Sequence, residues 1–252
     1  MKVSVLSSGS KGNTTYIESK EAKILIDAGN TSKYIIDKLA NMNVNPKEID
    51  AILITHIHSD HVKGLPVLLK HMNPCIYLTK TTHTYLDFIK NYKYIETDKF
   101  TIKDLEISVI KTSHDAPDSL GYIVSNEDKS IVYITDTGYI NKKYYQLLSN
   151  KNLYIMESNH DIEMLNNGKY PFELRQRILS DKGHLSNYDS SKYLCDFIGD
   201  NTEKIILAHL SEENNTEFLA YDTLKSRLNK KNIAFDNIII AKQNENTELI
   251  NV

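Results

Sequence analysis

The stretch Thr55-His56-Ile57-His58-Ser59-Asp60-His61 places three histidines and one aspartate within six residues. It follows Ile49-Asp50-Ala51-Ile52-Leu53-Ile54, a short and mainly apolar run that is typical of a buried strand. Residues two apart in an extended segment point the same way, so the first two histidines can bind one ion together. The chain then turns towards a helix, which directs the aspartate and the third histidine elsewhere. Because imidazole and carboxylate suit Zn, Mn or Fe, the stretch predicts a centre of two divalent metal ions.

Three later residues are candidates for the missing ligands. Each one comes shortly after an apolar segment that is typical of a strand: His114, Asp136 and His209. A lone histidine after a strand is more often structural than a ligand. Because three such positions accompany the first motif, we expect these residues to be ligands and not structural residues. We therefore expect all of these side chains to meet at one edge of a layered sheet.

In this order and spacing, the residues resemble the metallo-β-lactamase superfamily from Ser4 to about Ser211. The resemblance implies a four-layer αββα sandwich, with two mixed sheets flanked by helices. It also implies that Asp27 orients the ligand loop, although an ordinary turn aspartate is the alternative. The ligand set that it implies is His56, His58 and His114 for one ion, Asp60, His61 and His209 for the other, and Asp136 as the bridge.

Composition agrees with a soluble enzyme. The chain has 252 residues, which the superfamily fold would use almost entirely, so we expect one domain over 1–252. No apolar run approaches the roughly 20 residues of a membrane span, and no signal peptide is evident. The two cysteines, Cys75 and Cys195, are expected to be buried thiols in a reducing cytoplasm. The sequence leaves the oligomeric state open.

The periodicity of the chain predicts alternating strands and helices. The predicted strands are Lys2–Ser7, Thr14–Glu18, Lys23–Asp27, Ala51–Thr55, Cys75–Leu78, Leu105–Lys111, Gly121–Ser125, Ser130–Thr135, Leu153–Met156 and Lys204–Ala208. The predicted helices are Ser32–Met42, Lys63–His71, Thr82–Lys90, Asn141–Leu148, Phe172–Leu179, Tyr188–Ile198 and Thr216–Leu228. From Asn229 onward, the sequence predicts a helix end followed by a hairpin.

An additional histidine, His184, favours a phosphodiester substrate. It lies before a helix whose start is marked by Ser186 or Asn187, and it precedes the last ligand in the chain. In this it resembles the substrate-facing histidine of tRNase Z and of the bacterial phosphoribosyl cyclic-phosphate diesterase. We expect it to act as a general acid on the leaving oxygen. A structural histidine that caps a loop is the alternative.

Four short motifs resemble the YycJ/WalJ family of bacterial metallo-hydrolases, and the resemblance implies a DNA exonuclease. They are the segments at 7–13, 157–161, 183–187 and 207–215. Within them, we expect Ser8, Asn13 and His160 to contact the substrate. Arg175 and Arg177 precede His184 and are candidates for contacts with a nucleic-acid backbone, DNA more than RNA. The net charge of −3 gives this partner no additional support.

The predicted mechanism is attack on phosphorus by a hydroxide that two metal ions share beside Asp136. His184 would stabilise or protonate the leaving oxygen. Two other classes remain open, because one fold can serve many substrates. A hydrolase of cyclic phosphodiesters, thioesters or lactones would use the same metal ions in a closed, partly apolar pocket. A non-catalytic regulatory or binding protein would normally have lost a ligand.

Overall fold

Two seven-stranded sheets form the centre of the molecule in the computed structural model, which describes residues 1–252. The strands are β1 (Lys2–Ser7), β2 (Thr14–Glu18), β3 (Lys23–Ile26), β4 (Ala51–Leu53), β5 (Cys75–Leu78), β6 (Tyr92–Tyr94), β7 (Lys99–Ile102), β8 (Leu105–Lys111), β9 (Leu120–Ser125), β10 (Ser130–Ile134), β11 (Leu153–Glu157), β12 (Lys204–Ala208), β13 (Ile238–Ile240) and β14 (Ile250–Asn251). The first sheet has the order β14-β1-β2-β3-β4-β5-β6, and the second has β13-β12-β11-β10-β9-β8-β7.

Helices are distributed on the outer faces of the sheets. They are α1 (Ser32–Asn41), α2 (Ser59–Val62), α3 (Leu65–Leu68), α4 (Lys80–Tyr85), α5 (Tyr145–Leu148), α6 (Ile162–Asn167), α7 (Phe172–Ile178), α8 (Asn187–Phe197) and α9 (Glu217–Lys230), with short 3-10 turns at Pro46–Glu48 and Lys142–Tyr144. None of the nine helices combines the length and the apolar character needed to cross a bilayer.

Three apolar clusters hold the four layers together. The largest lies between the sheets, where Val5 and Ile26 of the first sheet share a core with Ile107 and Tyr122 of the second. A second cluster packs α1 and α3 on the outer face of the first sheet. The third packs α8 and α9 on the outer face of the second sheet. Because side chains alternate along a strand, each sheet supplies both an inner and an outer cluster. The predicted αββα sandwich of two mixed sheets is confirmed.

Strand direction brings the carboxyl ends of seven strands to one edge of the sandwich. In the first sheet, β3, β4 and β5 are parallel. In the second, β10, β11 and β12 are parallel, and β9 is antiparallel to both β8 and β10, so β8 runs with them. The predicted ligand positions follow β4, β8, β10 and β12. Loops at such an edge hold polar side chains over a rigid base.

The sequence-based boundaries are wrong mainly at the sheet edges. The sequence predicts neither the edge strands β6 and β7 nor the helix α6. The C-terminal hairpin is wrong, because β13 pairs with β12 in the second sheet whereas β14 pairs with β1 in the first. The predicted helix at Lys63–His71 is reduced to α3, and the one at Thr82–Lys90 ends with α4 at Tyr85. The predicted start of α8 is confirmed, since Ser186 is its N-cap.

Candidate metal centre

The loop after β4 carries four of the seven predicted ligands. Because α2 begins at Ser59, His58 lies in extended backbone whereas Asp60 and His61 lie in the first turn of the helix. The loop packs closely on Gly29, where a Cβ would lie only 1.6 Å from the carbonyl oxygen of Asp60. A side chain at this position would therefore displace the ligand loop, so glycine is required there.

The other three predicted ligands come from separate strand ends in the second sheet. His114 follows β8, Asp136 follows β10 and His209 follows β12. Asp136 and His209 have the positive φ angles of 56° and 57°. For residues other than glycine this conformation costs about 1–2 kcal/mol each, and such strain is concentrated at functional sites. The surrounding structure therefore holds these two residues in a backbone conformation that aspartate and histidine adopt at a cost.

All seven side chains meet in one cluster with Asp136 at its centre. The ligand atoms of His56, His58 and His114 lie within 4.8 Å of one another, and so do those of Asp60, His61 and His209. The Asp136 carboxylate lies between these groups. Its Oδ2 is 3.1 Å from His61 Nε2, and its Oδ1 is 3.5 Å from His209 Nε2 and 3.8 Å from His114 Nε2. One carboxylate thus faces both groups.

The donor set fits divalent cations. The Nε2 atoms of His56 and His209 are buried and have no hydrogen-bond partner, although an unpaired buried polar atom is costly. Burial alone would lower the pKa of His61, but the carboxylates of Asp136 and Asp27 raise it well above its ordinary value. These carboxylates therefore favour positive charge on the His61 imidazole, whereas burial lowers the pKa of His56. A metal ion bound to the same nitrogen atoms would supply that charge and satisfy the unpaired atoms.

Comparison with known proteins agrees with this geometry. The family described as "Beta-lactamase superfamily domain" matches residues 22–209. The exodeoxyribonuclease WalJ of Streptococcus pneumoniae is 39% identical over 236 residues, which cover 90% of this chain and 88% of that protein. The chain belongs to the metallo-β-lactamase superfamily. It shares the WalJ and YycJ branch, since exodeoxyribonuclease YycJ of Bacillus anthracis is 38% identical over 90% of this chain and 89% of its own length.

A solved structure supports the same fold. The metallo-β-lactamase fold protein YhfI from Bacillus subtilis superposes with a TM-score of 0.73 at 19% identity, and the match covers 98% of this chain and 99% of that one. At this identity the likeness establishes the fold alone. Membership of the superfamily, together with the His/Asp cluster, makes the chain a metal-dependent hydrolase.

As the superfamily resemblance implied, Asp27 lies behind the ligand loop. It is fully buried, and its Oδ2 is 2.7 Å from His61 Nδ1. The backbone amide and the hydroxyl of Thr55 both donate to its carboxylate at 2.8 Å. A carboxylate that accepts from Nδ1 fixes the ring so that Nε2 faces the cluster. Asp27 therefore orients His61 and the start of the loop at the same time.

Glu157 is the functional residue that the sequence reasoning missed. It ends β11, is fully buried, and lies under the second sheet's side of the cluster. Its Oε1 is 2.7 Å from His184 Nδ1 and 3.0 Å from His209 Nδ1. Its Oε2 accepts from the backbone amides of Leu185 and Thr137 at 3.0 and 3.1 Å. Burial favours the neutral acid, but His184 and His209 outweigh it and lower the pKa of Glu157 to about 2.

His184 lies in the turn that precedes α8, at the wall of a cavity that several of the proposed ligands also line. Its side chain is 14% exposed and its ring stacks on that of His209 at 5.4 Å. Asp136, Glu157, His184 and His209 also form a group within 4.8 Å that could hold a cation. Both oxygen atoms of Glu157 are already engaged by hydrogen bonds, however. The arrangement therefore favours His184 as a group that faces the cavity.

Four of the five residues predicted to contact substrate do not line this cavity of about 290 Å³. Ser8 is buried, and its hydroxyl accepts from the His209 amide at 2.8 Å. Asn13 is buried too, and its amide group donates to Asp60 Oδ2 at 3.1 Å. His160 is 1% exposed, and the Arg175 guanidinium donates to the Asn166 carbonyl. These positions do not agree with the predicted substrate contacts: Ser8 and Asn13 support ligand residues from behind, His160 is buried, and Arg175 bonds elsewhere.

Arg177 is the predicted substrate contact that does reach the cavity. It lines the cavity beside His58 and His184, and its side chain is 57% exposed. Its Nη1 is 3.2 Å from Asp115 Oδ2, and the other oxygen of Asp115 is 3.3 Å from His114 Nε2. It is the one lysine or arginine among the residues that line the cavity. An anionic group that entered would therefore meet a single flexible cation at the entrance.

Proposed function

We propose that this chain is a binuclear metal-dependent nuclease that hydrolyses phosphodiester bonds of DNA from a strand end. The observation that carries the proposal is the Asp136 carboxylate placed between two groups of three ligands. In this proposal, His56, His58 and His114 would hold one cation, Asp60, His61 and His209 would hold the other, and Asp136 would contribute its carboxylate to both. The names of the WalJ and YycJ relatives support DNA as the substrate and removal from an end.

The chemistry of the cavity separates this proposal from the alternatives. When bound, two divalent cations lower the pKa of a shared water and offset charge on the phosphoryl oxygens. The cavity walls are mainly polar, with Arg177 at the entrance, which suits a phosphate better than a thioester or lactone. A regulatory protein on this fold would lack part of the ligand set. Here the cluster includes all seven side chains.

Within the proposed reaction, His184 protonates the leaving oxygen. Glu157 accepts from Nδ1 of its ring at 2.7 Å, which leaves Nε2 as the atom that can face the substrate. From that position, Nε2 can deliver a proton to the departing alkoxide. Arg177 binds a phosphate oxygen. Glu157 fixes the orientation of the His184 and His209 rings, and Asp27 fixes that of the His61 ring.

We also propose that residues 1–252 act as one catalytic domain. The inter-sheet core contains residues from both halves of the chain, and the cluster draws ligands from both sheets. Neither half alone contains both proposed ligand groups. A DNA substrate agrees with the cytoplasmic location that the sequence suggests.

A digest of end-labelled DNA and RNA tests the proposed function. Single- and double-stranded forms are incubated with protein loaded with Mn, Zn or Fe, and products are resolved at single-nucleotide length. A thioester and a lactone serve as competing substrates. We expect progressive shortening of DNA from one end and slower turnover of the other compounds. Efficient hydrolysis of the thioester or lactone without cleavage of any nucleic acid would overturn the proposal.

A further inference from the structure

A smaller cavity of about 170 Å³ lies beside the metal centre, and nothing in the proposed reaction yet uses it. Residues from two segments of the second sheet's edge line it: 111–113, and Tyr139, Asn141, Lys143 and Tyr144. They are joined directly, because the Ser113 amide donates to the Thr137 hydroxyl at 3.0 Å and the Gly138 amide donates to the Ser113 carbonyl at 2.9 Å. His114 follows one segment and Asp136 precedes the other. The cavity therefore adjoins two proposed ligands.

The charge of this cavity is positive. Lys111 and Lys143 line it, and no carboxylate does. Other cavities of the molecule contain acidic side chains, such as Glu96 in the one beside β5 and Glu212 in the one beside Ser8. The Lys143 ammonium lies 4.7 Å from the centre of the Tyr144 ring, which orients it without neutralising it. The lining thus offers two cations to an anionic group.

The same cavity also has an exposed aromatic wall. Tyr139 lines it and is 40% exposed, whereas most tyrosines of the second sheet are buried. Its carbonyl oxygen accepts from the Thr137 hydroxyl at 2.7 Å, which fixes the backbone that carries the ring. A ring held in this way can stack on a nucleobase of any identity. Two lysines and one such ring are the components of a nucleotide subsite for a single strand.

We propose that this cavity binds a nucleotide of the substrate strand next to the scissile phosphate. Lys111 and Lys143 bind its backbone phosphate, and Tyr139 stacks on its base. The inference rests on the proposed nuclease function and adds a path for the strand, which runs from the metal centre across Ser113 to this cavity. The subsite lies outside the reacting atoms. It therefore contributes to binding of an oligonucleotide and not to hydrolysis of a phosphodiester that lacks a neighbouring nucleotide.

The double variant Lys111→Ala/Lys143→Ala tests the two cations. Lys142→Ala is the matched control, because Lys142 is exposed in the same 3-10 turn but does not line the cavity. Metal-loaded proteins are assayed on a single-stranded DNA oligonucleotide and on bis-p-nitrophenyl phosphate. We expect the double variant to raise KM for the oligonucleotide roughly three- to tenfold. The salt slope of binding should flatten by about 0.7 for each lost phosphate contact.

Turnover of bis-p-nitrophenyl phosphate should be the same in the double variant, in Lys142→Ala and in the wild type. A double variant that matches Lys142→Ala on the oligonucleotide would overturn the subsite. Equal losses on both substrates would overturn it too, since they would place the lysines in support of the metal centre. Failure of the proposed function is distinct, because the wild type itself would then leave the oligonucleotide intact, whatever its turnover of bis-p-nitrophenyl phosphate.

Substitution of Tyr139 tests the stacking wall separately. Tyr139→Ala should raise KM for the oligonucleotide about fivefold or more, because stacking of one base contributes at that level. Tyr139→Phe keeps the ring and should restore the wild-type KM. An oligonucleotide KM that is equal in Tyr139→Ala and Tyr139→Phe would contradict a role for the ring.

Discussion

The two sides of the metal centre are built differently, although each rests on one fully buried carboxylate. The first sheet supplies four proposed ligands from a single loop, and Asp27 holds that loop through His61 and Thr55. The second sheet supplies three from separate strand ends, with Glu157 beneath His209 and His184. The side chain of Asp27 hydrogen-bonds only to His61 and Thr55 of the ligand loop. Glu157 also contacts His184, which lines the cavity, so in the proposed reaction the second side would combine metal binding with proton transfer.

Replacement of His184 should give the largest kinetic effect without loss of metal. His184→Ala removes the proposed proton donor, and the rate on a natural diester should fall about 10²–10⁴-fold. The loss should be much smaller on p-nitrophenyl esters, whose leaving group needs less protonation. His209→Ala is the comparison and should lower metal content as well as rate. Loss of metal in His184→Ala would mean that the two histidines have exchanged roles, and equal rate losses on both substrates would indicate phosphate binding instead of proton transfer.

Neutral replacement of the two buried carboxylates sharpens the comparison between the sides. Asp27→Asn and Glu157→Gln should each weaken metal affinity about 10–100-fold, because each removes an acceptor behind a proposed histidine ligand. At saturating metal, Asp27→Asn should recover most of its rate, whereas Glu157→Gln should stay slow because His184 has lost its partner. Metal titration followed by kcat measurement separates the effects. Equal kcat values at saturation would refute the distinction.

The two arginines of α7 give the smallest expected effect. Arg177→Ala should weaken DNA binding a few fold and flatten its salt slope by about 0.7, as loss of one phosphate contact on a single strand requires. Arg175→Ala is the matched control from the same helix, since its guanidinium donates to the Asn166 carbonyl outside the cavity. Binding of a labelled oligonucleotide at several salt concentrations measures both. An unchanged slope in Arg177→Ala would make it a surface charge.

The sequence predicted the centre of this molecule better than its edges. The ligand loop was visible because four metal-binding side chains occur within six residues, and the inner strands because they are apolar runs. The edge strand β6 has three exposed residues and so lacks an alternating pattern. The strand β14 has two residues, and its pairing of Asn251 with Lys2 joins opposite ends of the chain. Such strands are defined by distant backbone partners and not by their own sequence.

The dependence on distant partners also explains which site residues could be predicted from the sequence. The order of the histidines and aspartates indicated the proposed ligands and His184, whereas nothing within the 157–161 motif distinguished Glu157 from its neighbours. Its carboxylate can be recognised as part of the site only when the fold brings His184 and His209 to it from 27 and 52 residues away. Ser8 and Asn13 belonged to a recognisable motif, but burial and hydrogen bonds decide whether such residues face substrate or support ligands. Only the structure provides that distinction.

Anomalous diffraction from crystals of the Mn- or Zn-loaded protein tests the central claim most directly. The account predicts two peaks about 3.5–4 Å apart on either side of the Asp136 carboxylate. One peak should lie at His56, His58 and His114, and the other at Asp60, His61 and His209. Asp136→Asn crystals should lose occupancy at one or both positions. A single peak in the wild type, or two fully occupied peaks in Asp136→Asn, would contradict the account.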